Sequence, residues 1–248
     1  MVDIDLMKNS ELKKGLLDLG FKKKKIWFVR EYKETIQDFG FPYATYGERR
    51  TRYYGCNCGF GYPEAHSFAE EHGIMNLFDT GGNIGYIVPQ RKFFFLKPKY
   101  EYSQWRIAES NTEQYAHNFV SNFLNLIETY AIPFLNSFST KEAFIDALEN
   151  NPKRVTYHYD RKLPPILYHL LGDNEKAISY IRQTLELYKK QEENRKNGVE
   201  IIETKEYREI RITGGSSYYS YLEFANTFSK SINYNIQFKD ELCLSNDN

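Results

Sequence analysis

An α+β fold, in which an antiparallel sheet packs against helices and a helical C-terminal half follows, is predicted by two features of the chain. Up to about residue 110, short β-rich segments alternate with glycine-rich turns, and their connections are too short for the helical crossovers of a parallel sheet. From residue 111 onward, apolar residues recur at helical spacing. Aromatic side chains make up 17% of the 248 residues, with 21 Tyr and 18 Phe, and so large an apolar volume must be buried or presented to a partner. The expected organisation is a main α+β domain over 1–198, with a helical hairpin at 164–196. A C-terminal extension over 199–248 would hold a strand or arm, one helix and a loose tail.

The elements follow in order. Leu12, Leu16 and Leu19 share a helical face, with Asn9 or Ser10 as cap and Gly20 as stop. Lys25 to Tyr32 is rich in β-formers and reads as a strand. In Tyr53 to Phe60 the residues Tyr54, Cys56, Cys58 and Phe60 point one way and Gly55, Asn57 and Gly59 the other, the pattern of one half-buried strand. A helical turn is expected over Ser67 to Glu71. Asp79 to Gly85 carries turn chemistry, leading into a strand at Tyr86 to Val88; Phe93 to Leu96 and Gln104 to Ala108 complete the sheet.

Asn111 with Gln114 opens a long helix whose apolar face includes Tyr115, Phe119, Phe123, Leu126, Ile127 and Tyr130, and Pro133 kinks or stops it. Ser139 to Glu142 is a capping-box pattern for a helix ending at Asn151 and Pro152. Pro164 to Leu171 and Asn174 to Lys196 form a hairpin split by Gly172 and Asp173. Residues 199 to 212 alternate like a late strand or arm, and Tyr218 to Ile232 reads as a last helix.

Lys plus Arg and Asp plus Glu both total 33, so the net charge is zero and nothing draws the whole chain toward nucleic acid or an anionic membrane. Apolar runs fall far short of the ~20 residues that span a bilayer. The opening Met-Val-Asp-Ile-Asp-Leu lacks the features of a secretory signal, and three cysteines are an odd number, so a cytoplasmic protein with reduced thiols is expected.

Cys56, Cys58, His66 and His72 could in principle surround a zinc ion. One intervening residue between the cysteines is too few for a zinc knuckle, and both point with Tyr54 and Phe60, so core packing is the reading, with no metal and no cofactor. His158 and His169 have no ligand partner four residues on and read as structural. Gly81 to Gly85 reads as a hairpin turn, and Thr213 to Ser217 as a linker or cap lacking the lysine of a phosphate loop. No catalytic residue is nominated.

From Lys22 to Arg52 there are nine basic and four acidic residues, and Tyr43, Tyr46, Tyr53 and Tyr54 interleave with the arginines. Such interleaving serves single-strand nucleic-acid binders, but no base-reading module is legible, so only weak nucleic-acid binding is expected. Tyr and Arg dominate interface energetics, and Tyr46, Arg50 and Tyr53 are the candidate partner-binding residues. The alternative is an enzyme or binder acting on a nucleotide or phosphorylated small molecule, with Arg49, Arg50 and Arg52 as its anion site.

Leu16-Leu-Asp-Leu-Gly-Phe-Lys-Lys-Lys24, then Trp105-Arg-Ile107, Ile132-Pro-Phe-Leu135 and Leu170-Leu-Gly-Asp-Asn-Glu-Lys-Ala177 resemble positions in a family of uncharacterised bacterial proteins, a domain of unknown function found mostly in cytosolic proteins. The resemblance spans residues 8 to about 190. It implies an α+β domain and, because some similar small proteins sit beside polymorphic toxin genes, an immunity-type role with a toxin as partner. It implies no active site. A non-enzymatic protein-binding module is therefore the expected function.

Overall fold

The computed structural model describes residues 5–45, 51–89, 99–108, 110–151, 159–193, 199–203, 208–212, 217–234 and 236–239. They fall into two compact units, one made of Met1–Glu64 with Phe78–Asp160, the other of Ala65–Leu77 with Arg161–Asn248.

The first unit opens with α1 (Ser10–Asp18), where the Asn9 side chain accepts the Leu12 N–H and Leu12 and Leu16 are buried. Gly20 then reverses the chain in the left-handed region, at φ +86°, where a Cβ would be strained. Next come β1 (Lys22–Lys24), β2 (Trp27–Tyr32), β3 (Thr35–Gly40), β4 (Tyr43–Thr45), β5 (Thr51–Gly55) and β6 (Asn57–Gly61). After α2 (Pro63–Glu71), which crosses the division between the units, follow β7 (Thr80–Asn83) and β8 (Gln104–Ala108). The strands form a five-stranded sheet, β1-β2-β3-β6-β7, and a three-stranded sheet, β4-β5-β8, and every pairing is antiparallel.

Two local expectations are corrected. The single strand expected over Tyr53 to Phe60 is two, in different sheets, broken at Cys56. The Cys56 carbonyl accepts the Ile84 N–H at 2.8 Å, which ties the junction to a third segment. Gly81 and Gly82, expected to make a turn within 79 to 85, instead lie in β7, because Gly81 meets Gly59 across the ladder and a Cβ there would stand 2.7 Å from the Cys58 carbonyl oxygen. The strand expected at Tyr86 to Val88 is displaced by a 3₁₀ turn, Ile84–Tyr86, which Asn83 caps by accepting the Gly85 N–H. The segment 93–96 lies outside the described residues.

Helix α3 (Glu113–Leu126) is capped by Thr112 rather than Asn111, whose Oδ1 accepts the Ala108 N–H. A π-helical turn, Ile127–Ala131, joins it to α4 (Ile132–Ser137). Pro133 has no N–H to give to the ladder, so the irregularity sits where the expected kink was placed. The buried face of this run is Val120, Phe123, Ile127, Ala131 and Leu135, while Tyr115 is exposed. Thr140 caps α5 (Lys141–Asn150).

Strand alternation gives the five-stranded sheet two unlike faces. Phe28, Phe39 and Cys58 align across it in one row and Gln37 with Phe60 in the next, all buried. The Phe60 ring stacks on Phe138 at 5.5 Å and meets Phe144 of α5 edge-on, and Phe21 meets Phe39 at 5.0 Å. This aromatic layer is the core. Arg30 fastens it: Nε and Nη2 donate to Gln37, Nη1 to the Leu19 carbonyl and Nη2 to Asn136, with the guanidinium over the Phe21 ring. The other face carries Trp27, Val29, Ile36 and Asp38.

In the second unit α6 (Leu163–Leu170) and α7 (Asn174–Glu193) form the expected hairpin, with Gly172 at φ +82° and the Asp173 carboxylate accepting the Lys176 N–H. Strands β9 (Val199–Glu203) and β10 (Arg208–Ile212) pair antiparallel, and α8 (Ser217–Ser231) buries Tyr218, Tyr221, Phe224 and Phe228. Phe68 of α2 packs against His169 and Phe228. Among the described residues no helix is long and apolar enough to cross a membrane.

Candidate functional site

The second face of the five-stranded sheet holds a cavity of about 710 Å³ whose lining lies wholly within the first unit. Strand register builds it. Val29, Asp38, Gly59 and Gly81 stand side by side across β2, β3, β6 and β7, and Trp27, Gly40 and Asn57 form the next row. On this face β6 and β7 present glycines, so the floor is bare backbone on one side, while Trp27, Val29 and Ile36 wall the other.

Missing side chains let two carboxylates lean inward. A Cβ at position 59 would stand 3.2 Å from Asp38 Oδ2 and 3.4 Å from Oδ1, and a Cβ at position 61 would run into the Asp79 carboxylate. Asp38 therefore lies over Gly59 and Asp79 over Gly61, two positions along the same strand. Among the described residues no hydrogen-bond donor and no cation pairs with Asp38. Partial burial, reinforced by the Asp79 charge, pushes the Asp38 carboxyl up to about 6. A half-buried carboxyl with no donor among the described residues, close to another carboxyl at the edge of a cavity, marks a candidate site.

Apolar surface surrounds it. Ile26, in the turn between β1 and β2, is 68% exposed, and Trp27 and Ile36, on the adjacent strands β2 and β3, are each 38% exposed, which makes an unusual apolar surface. Lys24 and Lys25, both exposed, complete the lining. No histidine, serine or reactive thiol joins the acids there: the cysteine in the lining, Cys58, is buried on the covered face. Between the two acids, the arrangement suits a cationic or donor-rich group on an apolar body.

The residues nominated from sequence lie elsewhere. Tyr46, Arg49 and Arg50 are outside the described residues. Tyr53 is half-buried on β5, between Ala44 and Arg106 in the three-stranded sheet. Arg52, on the same strand, donates to Tyr54 Oη at 3.2 Å, lies over the Tyr43 ring at 4.4 Å and stands 3.9 Å from Asp5. Cys56 and Cys58 are both buried, and burial holds the Cys56 thiol well above its ordinary range. His72 packs on Phe68, His169 bonds Asn174 and His117 pairs with Glu11, while His158 lies outside the described residues. Ser121 also bonds Glu11, not His117, so this surface cluster ties α1 to α3 and lacks a nucleophile–base pair. Among the described residues no three His, Cys, Asp or Glu side chains converge as a metal site would require.

Asp38 was missed because Gln37 and Asp38 weaken the β signal of residues 35 to 40. A usable signal was present in the glycines at 59 and 61, since a strand that omits side chains on one face marks a place where another group approaches closely. Comparison with protein-family models, curated proteins and solved structures returns no match.

Proposed function

We propose that the protein is a non-enzymatic binding module that docks a protein partner on the open face of its five-stranded sheet. The observation carrying this reading is the juxtaposition of exposed Ile26, Trp27 and Ile36 with the carboxyl of Asp38, which has no donor among the described residues. Each is unfavourable in water or in burial alone, and a complementary surface relieves both at once. An immunity-type role, with a toxin as partner, is the concrete form implied by the family resemblance. The nucleotide or phosphate reading draws no support from this cavity, where two acids offset the two lysines and no arginine lies in the lining.

Affinity capture from the native cell tests the reading. The wild-type protein and a Tyr53→Ala variant should retain the same partner, and the Trp27→Ala/Ile36→Ser variant should lose it. Equal retention by all three would overturn the sheet-face assignment.

A further inference from the structure

We infer that the cavity receives an arginine side chain of the docking partner, its guanidinium seated between Asp38 and Asp79 and against Trp27; this rests on the sheet-face reading above. Charge comes first. Asp38 offers a carboxylate with no donor among the described residues, and Asp79, which has other interactions of its own, adds its negative charge within electrostatic reach on the far side of β6. They belong to different segments and lean over Gly59 and Gly61, which separates the acceptors along the strand. A planar fork with five donors can bridge acceptors so placed, whereas an ammonium is a point charge.

Shape makes the same choice. Gly59 and Gly81 are cross-strand partners with no side chain to fill the space above them, so a flat group can approach the backbone. Trp27 and Ile36 offer apolar surface to the aliphatic stem, and an indole attracts a guanidinium at its face. Lys24 and Lys25 have the same sign as the ligand, but they are exposed and would favour an acidic residue beside the arginine. The ligand is thus an arginine with an acidic neighbour.

Trp27 is its own reporter. Only two tryptophans are present, and Trp105 packs on Phe123, so a Trp105→Phe background isolates the emission of Trp27. The probes are N-acetyl-arginine methylamide, its citrulline and lysine counterparts, and N-acetyl-Arg-Glu amide. The arginine probe should change Trp27 emission saturably, at least tenfold more tightly than citrulline, more tightly than lysine, and more tightly still with the adjacent glutamate. Asp38→Asn and, separately, Asp79→Asn should each weaken it about tenfold while the far-ultraviolet circular dichroism stays native. Citrulline binding as well as arginine, or an arginine response unchanged in both Asn variants, would overturn the inference. Retention of the captured partner by Asp38→Asn would also overturn it and leave the sheet-face reading standing. A saturable arginine response without any Trp27-dependent partner would instead overturn the protein-docking reading.

Discussion

Trp27 and Gly40 are cross-strand partners, and the six-membered ring of the indole occupies the space that a side chain at position 40 would claim. Gly40→Ala must therefore move Trp27, since the Cβ meets ring atoms and no flexible chain end. We expect a loss of about 1–3 kcal/mol, the usual consequence of overpacking, with a shift in Trp27 emission. Urea melts and emission spectra in the Trp105→Phe background check both; an unshifted spectrum would place the ring elsewhere.

Asp38 makes stability depend on pH. Its carboxyl is raised from 3.8 to about 6, so the folded state holds the proton more firmly than the unfolded state does. Stability is therefore greatest below pH 4 in this respect and declines as pH rises from about 4 through 6, by at most about 3 kcal/mol at 1.36 kcal/mol per pH unit. The charged groups around it are Asp79, which raises it, and Lys24 and Lys25 in the same cavity lining. Asp38→Asn removes the charge and should stabilise the protein at pH 7.5, with the gain disappearing near pH 4. Thermal melts across this range decide it, and a destabilised variant at pH 7.5 would contradict the assigned environment.

Tyr62 is buried, and its Oη donates to the Phe138 carbonyl at 2.7 Å and lies 3.2 Å from that of Thr140, joining the end of β6 to the α4–α5 connection. Burial raises its phenol far above the ordinary range, so it stays a donor at any physiological pH. Tyr62→Phe should cost about 1–2 kcal/mol, the loss of a buried hydrogen bond with the acceptor left behind. Chemical denaturation measures this, and a neutral substitution would mean that water replaces the hydroxyl.

The Cys56 and Cys58 thiols should not react with a thiol reagent in the native protein and should both react in denaturant, since reaction requires an accessible thiolate. Counting modified sites by mass spectrometry is the check. Native labelling at either position would show that the junction between the two sheets opens readily.

The α+β class was legible because its signals are local. Leu12 and Leu16, and Gly172 with Asp173, each act within one turn of helix, and the structure uses them, while the cap expected from the Ser139 to Glu142 pattern falls one residue later, on Thr140. Even the opposition of Cys58 and Phe60 to Gly59 is an alternation within one strand. What escaped depends on partners distant in sequence. Gly81 serves a strand rather than a turn because Gly59 lies opposite it, and the chain leaves one sheet for another at Cys56 because Ile84 binds that carbonyl. The candidate site is of this second kind: Asp38, Asp79 and Trp27 come together only through the order β2-β3-β6-β7. Composition drew attention to tyrosines and arginines near residue 50, yet the cavity is made by two acids and by glycines that add nothing to a charge or aromatic count.

The threading of the second unit bears on how the chain is made and how it can be cut. Its first piece, Ala65–Leu77, is synthesised long before the helices carrying His169 and Phe228, against which Phe68 rests. On the ribosome that apolar segment must wait, uncovered, while the whole of the first unit's second piece, Phe78–Asp160, emerges. A stop after Asp160 would leave the same segment permanently stranded: the fragment would hold every residue of the Asp38 cavity and still carry an orphaned Phe68 and Ile74, and it would aggregate through them unless both were made polar.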